Sequence, residues 1–251
     1  MADRKSLYIL GVRVDDVTYN EAVVEIDCFV RKRTPHQIVT VNPEFIIAAR
    51  RDVEFRHIIN HAALSLPDGA GLLWASRLLG HPLRERVTGV DMLQHLADLA
   101  TQRGYAIFLL GAAPGVAAEA ARRLAERFPR LMIAGTHVGS PEPTEEPEII
   151  EIVRCAAPDM LFVAYGAPKQ DKWIARNLDR LGVPVAMGVG GAFDFISGRA
   201  QRAPMWMRRA GLEWLHRLYR EPWRWRRMLA LPAFAWLVIT ERIGLALRRG
   251  R

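Results

Sequence analysis

The turn Leu66-Pro67-Asp68-Gly69-Ala70-Gly71 carries the carboxylate best placed to do chemistry in this chain, that of Asp68. Residues 61–66 read as a short buried strand and 71–79 have helical periodicity, so Asp68 stands where a strand hands over to a helix. The glycines beside it let the backbone turn sharply. In open α/β folds ligands bind in the crevice outside the carboxyl ends of the strands. A carboxylate there can take a proton from a substrate hydroxyl. The plainer role is a cap on the helix that follows, and the turn by itself is compatible with both. Thr40 and Asn42 occupy the same kind of position, at the end of a strand over 37–41, where Asn42-Pro43 opens a helix over 44–51. Ordinary β propensity would explain Thr40, and helix capping Asn42.

Several other patterns fail on inspection. His57 and His61 are four apart, but the intervening residues lack the glutamate of a zinc-hydrolase helix, so both read as polar-face residues. The segments 111–116 and 188–193 are glycine-rich without G-x-G-x-x-G in the right place, and no acidic residue follows Gly111 at the distance that holds a ribose. There is no phosphate-binding G-x-x-x-x-G-K-[ST] and no Asp-x-Asp triplet to hold a metal on a nucleotide diphosphate. No metal and no cofactor is expected. A diphosphate would have to be neutralised by cationic side chains and backbone N–H groups.

These candidates need a scaffold, and the elements supply one. Residues 7–14 read as a first strand or hairpin and 19–31 as an amphipathic helix. After the Asp68 turn, Thr88 is placed to cap a helix over 92–102, while Arg84 and Arg86, taken singly, read as surface charges. Strand 106–110, helix 116–128 and strand 131–134 make a βαβ unit, which implies parallel strands. A loop over 135–147, helix 148–156, strand 160–164, a helix ending at Arg180 and a last strand over 183–187 follow. The expected fold is α/β, a Rossmann-like, mostly parallel sheet of about six strands flanked by helices, with an Arg/Trp-rich helical appendage. The division falls at 1–198 for the α/β catalytic domain and 199–251 for the appendage.

Composition agrees. Half of the 251 residues are apolar and a quarter charged, which excludes a disordered chain. Cys28 and Cys155 form no disulfide framework, so a reducing compartment is the default, and no signal peptide is expected at the N-terminus. The net charge of +8 is unevenly spread: residues 199–251 hold thirteen arginines and three glutamates, a net of +10 that leaves −2 for 1–198. Five of the seven tryptophans also lie there. Such an arm suits a polyanionic partner or a membrane surface. Nucleic acid is disfavoured, because the body is acidic and carries no reading motif. Arg217, Arg220, Arg224 and Arg227 are spaced to share one helical face unless Pro222 interrupts it. The apolar run 228–239 is too short to span a bilayer, which takes about twenty residues. It is expected to lie on the membrane surface, with packing on the body or on another subunit as the alternative.

Seven motifs, TVNPEF (40–45), LPDGAG (66–71), RVTGVD (86–91), GAAPGVA (111–117), GTHVG (135–139), APKQDKW (167–173) and GVGGAFDFISG (188–198), together resemble the WecG/TagA/CpsF glycosyltransferase family over residues 7–227. The resemblance implies metal-independent, inverting transfer of N-acetylmannosamine or a related sugar from a UDP-sugar to polyprenyl-diphosphate-linked N-acetylglucosamine, at the cytoplasmic face of the bacterial plasma membrane. It makes Asp68 the general base with Thr40 beside it, puts Asn42 in the same loop as a substrate-binding residue, and matches Arg86 and Gln170 to the polar pocket. Gly111 and Asp194, inside two of the motifs, complete the substrate-binding set with Arg217, Arg224 and Arg227, the arginines that would close over the UDP diphosphate. The arm would also bring the protein to the membrane, and self-association into a homo-oligomer is left open. A mobile arm would gate the reaction by completing the site only when it docks. Ser140-Pro141 replace an aromatic pair that is usual after GTHVG, which bears on substrate preference. UDP-glucose or a UDP-uronic acid as donor is the alternative within enzymes, and a non-catalytic basic membrane-binding protein the alternative outside them.

Overall fold

A computed structural model describes residues 4–249 of the chain. It opens with an antiparallel hairpin, β1 (Ser6–Ile9) and β2 (Val12–Asp15), closed by Leu10 and Gly11 at φ of 51° and 80°. Two consecutive positive φ angles match the twist that a two-residue hairpin needs. Then come α1 (Tyr19–Lys32), β3 (His36–Val41), α2 (Pro43–Arg51), α3 (Val53–His61), β4 (Leu64–Pro67), α4 (Ala70–Leu79), α5 (Gly89–Arg103), β5 (Ala106–Gly111), α6 (Val116–Arg127) and β6 (Met132–His137). They are followed by α7 (Glu146–Ala156), β7 (Met160–Ala164), α8 (Lys169–Leu181), β8 (Val185–Gly188) and the short α9 (Ala192–Ile196).

Six strands form one parallel sheet in the order β4-β3-β8-β7-β5-β6, as an α/β reading requires. Side chains alternate between its faces. Ile38, Leu64, Leu66, Leu109 and Phe162 pack under α1, α5 and α6, while Leu110, Leu161 and Val163 pack under α7 and α8. Val39 and Val41 join a third apolar cluster with α2, α3, α4 and the hairpin.

Three expectations are corrected here. The strand before Asp68 begins at Leu64, because α3 continues to His61 under its Asp52 cap. The loop expected from 135 begins after His137, since Gly135, Thr136 and His137 pair with Phe108, Leu109 and Leu110 of β5. Pairing overrides the weak strand propensity of those residues, and Gly135 is there because a methyl group on it would meet the Phe108 ring at 2.6 Å. The arginine face is also broken. α10 (Met205–Arg209) and α11 (Glu213–Arg220) are followed by a 3-10 turn at Pro222–Arg224, α12 (Trp225–Met228) and α13 (Ala230–Arg249). Pro222 starts the new turn and redirects the chain, so Arg220 leaves the group to hydrogen-bond Gln201 at 2.7 Å.

The run 228–239 does not lie free. α13 packs on α2 and α4, with Phe234 and Val238 buried in the third apolar cluster. Pro232 falls in its first turn, where a missing N–H costs nothing. The opposite side leaves Trp236, Ile239 and Ile243 exposed. No helix among the described residues is long and apolar enough to cross a membrane.

Candidate active site

The carboxyl ends of β4, β3 and β8 lie side by side, and the chemistry gathers along them. Thr40 is paired with Leu66 and Val41 with Pro67, and the Asp68 N–H donates to the Val41 carbonyl at 2.8 Å, extending the ladder by one residue. α4 is capped by Gly69 with no side-chain bond, so Asp68 does not cap the helix that follows it. Its Oδ2 instead accepts from the Gly89 N–H at 3.0 Å, at the start of α5. Thr40 points at the same glycine: a methyl group on Gly89 would stand 3.3 Å from Thr40 Cγ2 and 3.6 Å from Asp68 Oδ2. Thr40 Oγ1 donates to the Gly188 carbonyl at 3.3 Å, which ties β3 to the end of β8. Asn42 does cap its helix, its Oδ1 accepting from the Phe45 N–H at 3.0 Å, so its amide nitrogen is what remains for a substrate.

Burial pushes the Asp68 carboxyl up to about 7. The Gly89 N–H and the Arg86 charge oppose this, while Glu213 and Asp91 add to it. A carboxyl poised near neutrality is matched to general-base work at ordinary pH.

Arg86 reaches Glu213 of α11 at 3.4 Å, and Glu213 also accepts from Arg202 Nε at 3.1 Å. Arg202 grips Asp91 with both terminal nitrogens, and Asp91 is held by Thr88 Oγ1 at 2.8 Å. Burial alone would raise the Asp91 carboxyl, but the hydrogen bonds from Arg202 and Thr88 and the charges of Arg202 and Arg208 hold it below its ordinary value. This chain of ions joins the appendage to the turn before α5. Composition and spacing gave no sign of Glu213, Arg202 or Arg208 as site residues. Asp91 stood only as the last letter of a motif.

Gln170 is buried, and its Oε1 accepts from the Gly166 N–H at 3.1 Å and the Gly190 N–H at 3.0 Å. It therefore pins together the loops after β7 and β8 and shapes the crevice through them. Gly111 is buried at the end of β5, where a methyl group would meet the Tyr165 ring at 3.0 Å. Asp194 lies in the first turn of α9, and its charge acts on Arg217.

Arg217 stacks over the Phe195 ring, 4.9 Å from its centroid, and its Nη2 touches the loop at Gly191. Burial and the Arg224 charge, with Arg227 adding to them, lower its guanidinium from the ordinary value against the pull of Glu221. Glu221 pairs with Arg224 at 2.9 Å and approaches Arg217 at 3.6 Å. Arg227 pairs with Glu44, at the start of α2, at 2.7 Å. The buried Nε atoms of Arg217 and Arg224 have no hydrogen-bond partner. Arg217, beside the loop after β8, has two further guanidiniums close enough to repel it, and two of the three keep an unpaired Nε, an arrangement suited to an anion. Arg217, Arg224 and Arg227 are thus brought together at the crevice, and Arg220 is not. Among the described residues, no three His, Cys, Asp or Glu side chains gather as a metal would need.

A carboxylate and a group of arginines along the same carboxyl edge of the sheet are an arrangement able to accept a proton and to hold an anion. The family described as Glycosyl transferase WecG/TagA/CpsF family matches residues 7–248. An N-acetylglucosaminyldiphosphoundecaprenol N-acetyl-beta-D-mannosaminyltransferase of Bacillus subtilis (strain 168) is 37% identical over 204 residues, 81% of this chain and 79% of the relative. A protein of the same name from Staphylococcus aureus (strain MW2) is 31% identical over 232 residues, covering 92% and 91% of the two chains. The chain belongs to the WecG/TagA/CpsF glycosyltransferase family. It is a hexosyltransferase.

Proposed function

We propose that this enzyme transfers N-acetylmannosamine from a UDP-sugar to polyprenyl-diphosphate-linked N-acetylglucosamine, with inversion, at the cytoplasmic membrane face. The acceptor hydroxyl attacks the anomeric carbon, Asp68 takes its proton, and UDP departs toward Arg217, Arg224 and Arg227. A single direct displacement inverts the centre. The leaving diphosphate gathers negative charge, and guanidiniums aimed at it stabilise the transition state without a metal ion. The observation that carries this reading is the pairing of Asp68, half-buried and shifted to about 7, with the unpaired Nε donors of Arg217 and Arg224 along one strand edge. Both relatives act, by name, on a sugar-diphosphate-lipid acceptor and transfer N-acetylmannosamine.

Membrane contact through the appendage is part of the proposal. Trp206, Trp214, Trp223, Trp225 and Trp236 are all exposed among arginines, the composition that settles at a lipid headgroup layer.

The test is UDP release from a panel of UDP-sugars with a short-chain polyprenyl-diphospho-N-acetylglucosamine. Acceptor-dependent release with UDP-N-acetylmannosamine is expected, falling about a hundredfold or more in Asp68→Asn, the scale of a lost general base. The wild-type rate should fall about tenfold per pH unit below about 7, as Asp68 takes up its proton. Equal rates in the two proteins would place the base elsewhere.

A further inference from the structure

The reaction just proposed brings two diphosphates to one site, and a single anion seat serves one of them. A second group of guanidiniums, apart from Arg217, Arg224 and Arg227, stands on the appendage around Asp91 and Glu213. Arg202 is fixed on Asp91 and Glu213. Arg208, on α10, lies beside Asp91, and its buried Nε has no hydrogen-bond partner. Its Nη2 donates to the Met205 sulfur at 3.2 Å, a weak acceptor that phosphate oxygen would displace with ease. Arg86 and Arg202 are taken up by the two acids Glu213 and Asp91, whereas Arg208 makes no ion pair among the described residues.

Position argues for a particular anion. The turn after α10 sits on the helix that follows the base: a methyl group on Gly211 would be 2.7 Å from the Ala70 side chain, two residues after Asp68. On the outer side of the same short helix, Met205 and Trp206 are 55% and 65% exposed. Apolar surface, guanidinium and carboxylate therefore follow one another from outside to inside. A polyprenyl-diphospho-sugar has the same order of parts, an apolar chain, a diphosphate and then a sugar whose hydroxyl must reach the base.

We propose that Arg208 binds the diphosphate of the lipid-linked acceptor, separately from the arginines that hold the donor. This rests on the transfer reaction proposed above. Met205 and Trp206 take the first part of the prenyl chain. The arginine sets the reach of the acceptor, so that the attacking hydroxyl arrives at Asp68 and the lipid stays in its bilayer. A charge-assisted bond to phosphate is strong enough that its loss is felt chiefly in acceptor affinity.

The experiment compares wild type, Arg208→Gln, Arg208→Lys and Arg224→Gln. In Arg208→Gln the acceptor KM should rise about ten- to a hundredfold, with the donor KM within about twofold of wild type, and Arg208→Lys should recover part of the loss. Arg224→Gln should show the reverse split, a raised donor KM. A parallel measurement uses neutral phosphatidylcholine vesicles doped with a prenyl diphosphate or with the same amount of phosphatidylglycerol. Wild type should prefer the prenyl diphosphate, and Arg208→Gln should lose that preference while still binding phosphatidylglycerol vesicles. An unchanged acceptor KM in a folded Arg208→Gln overturns the assignment and leaves the transferase reading standing. Equal loss on both vesicle types also overturns it, since Arg208 would then be a general contact to anionic lipid. Absence of sugar transfer by wild type, with the vesicle preference lost in Arg208→Gln, would overturn the reaction and keep the diphosphate site.

Discussion

Asp171 shows what an ionisable group costs when the fold gives it no partner. It lies in the first turn of α8, is fully buried, and neither carboxylate oxygen has a hydrogen-bond partner, although its own carbonyl accepts from Gln37 at 2.9 Å. Burial pushes its carboxyl from 3.8 up to about 7. Unfolded, the group releases its proton near 3.8; folded, it keeps it until about 7, so the folded state holds the extra proton between these values. Stability from this group is therefore present at low pH and is lost as pH rises through that window, by up to about 4 kcal/mol. Asp171→Asn keeps the shape and removes the charge. Its melting temperature should exceed that of wild type at pH 8 and match it near pH 4, and parallel pH curves for the two proteins would refute the account. Asp68 carries a similar shift from the same cause, burial, although it faces the crevice and keeps one N–H and a nearby arginine that pull the other way. The two carboxylates were not equally legible. Asp68 stood out because a strand, a turn and glycines frame it, whereas Asp171 sits in a polar run, KQDKW, whose burial depends on a sheet that no local pattern reports.

The helices tell a similar story of local signals and distant ones. Thr88 before α5 and Asn42-Pro43 before α2 could be read directly, because a cap is a bond between near neighbours in the chain. The extension of β6 through His137, the break at Pro222 and the docking of α13 depend on partners far away in sequence. α13 docks through Phe234, whose ring lies 3.7 Å from where a methyl group on Gly71 would be. Gly71 belongs to the turn that carries Asp68, so the appendage packs directly on that turn. The same glycine would also bring a methyl group within 2.8 Å of Pro43, and any larger residue there would separate all three pieces. Phe234→Ala should cost about 3–5 kcal/mol at this contact. Hydrogen exchange in α13 should then speed up sharply while the sheet strands keep their protection. Unaltered exchange in α13 would mean that the ion chain from Arg86 to Asp91 holds the appendage without it.

Viewed entire, the molecule separates its charges. An acidic body carries a basic arm whose exposed tryptophans and arginines share one region. Vesicle binding should therefore weaken as salt is added when anionic lipid is present, because screening acts on exposed charges. It should leave a salt-resistant remainder from tryptophan insertion, visible as a blue-shifted emission. Binding that ignores both salt and lipid charge would argue for an apolar contact of another kind. The order of strands has a further effect, on how the chain comes to exist at all. β8 is the last strand made, yet it lies between β3 and β7 in the middle of the sheet. Until it emerges from the ribosome, the nascent chain holds two half-sheets, β4-β3 and β7-β5-β6, each with a raw inner edge of unpaired N–H and C=O groups. A polypeptide that stops short of β8 is thus an aggregation hazard, and chaperone dependence should end once β8 slots in. The sticky tryptophan arm is synthesised only afterwards, when the sheet beneath the helices it packs on is already closed.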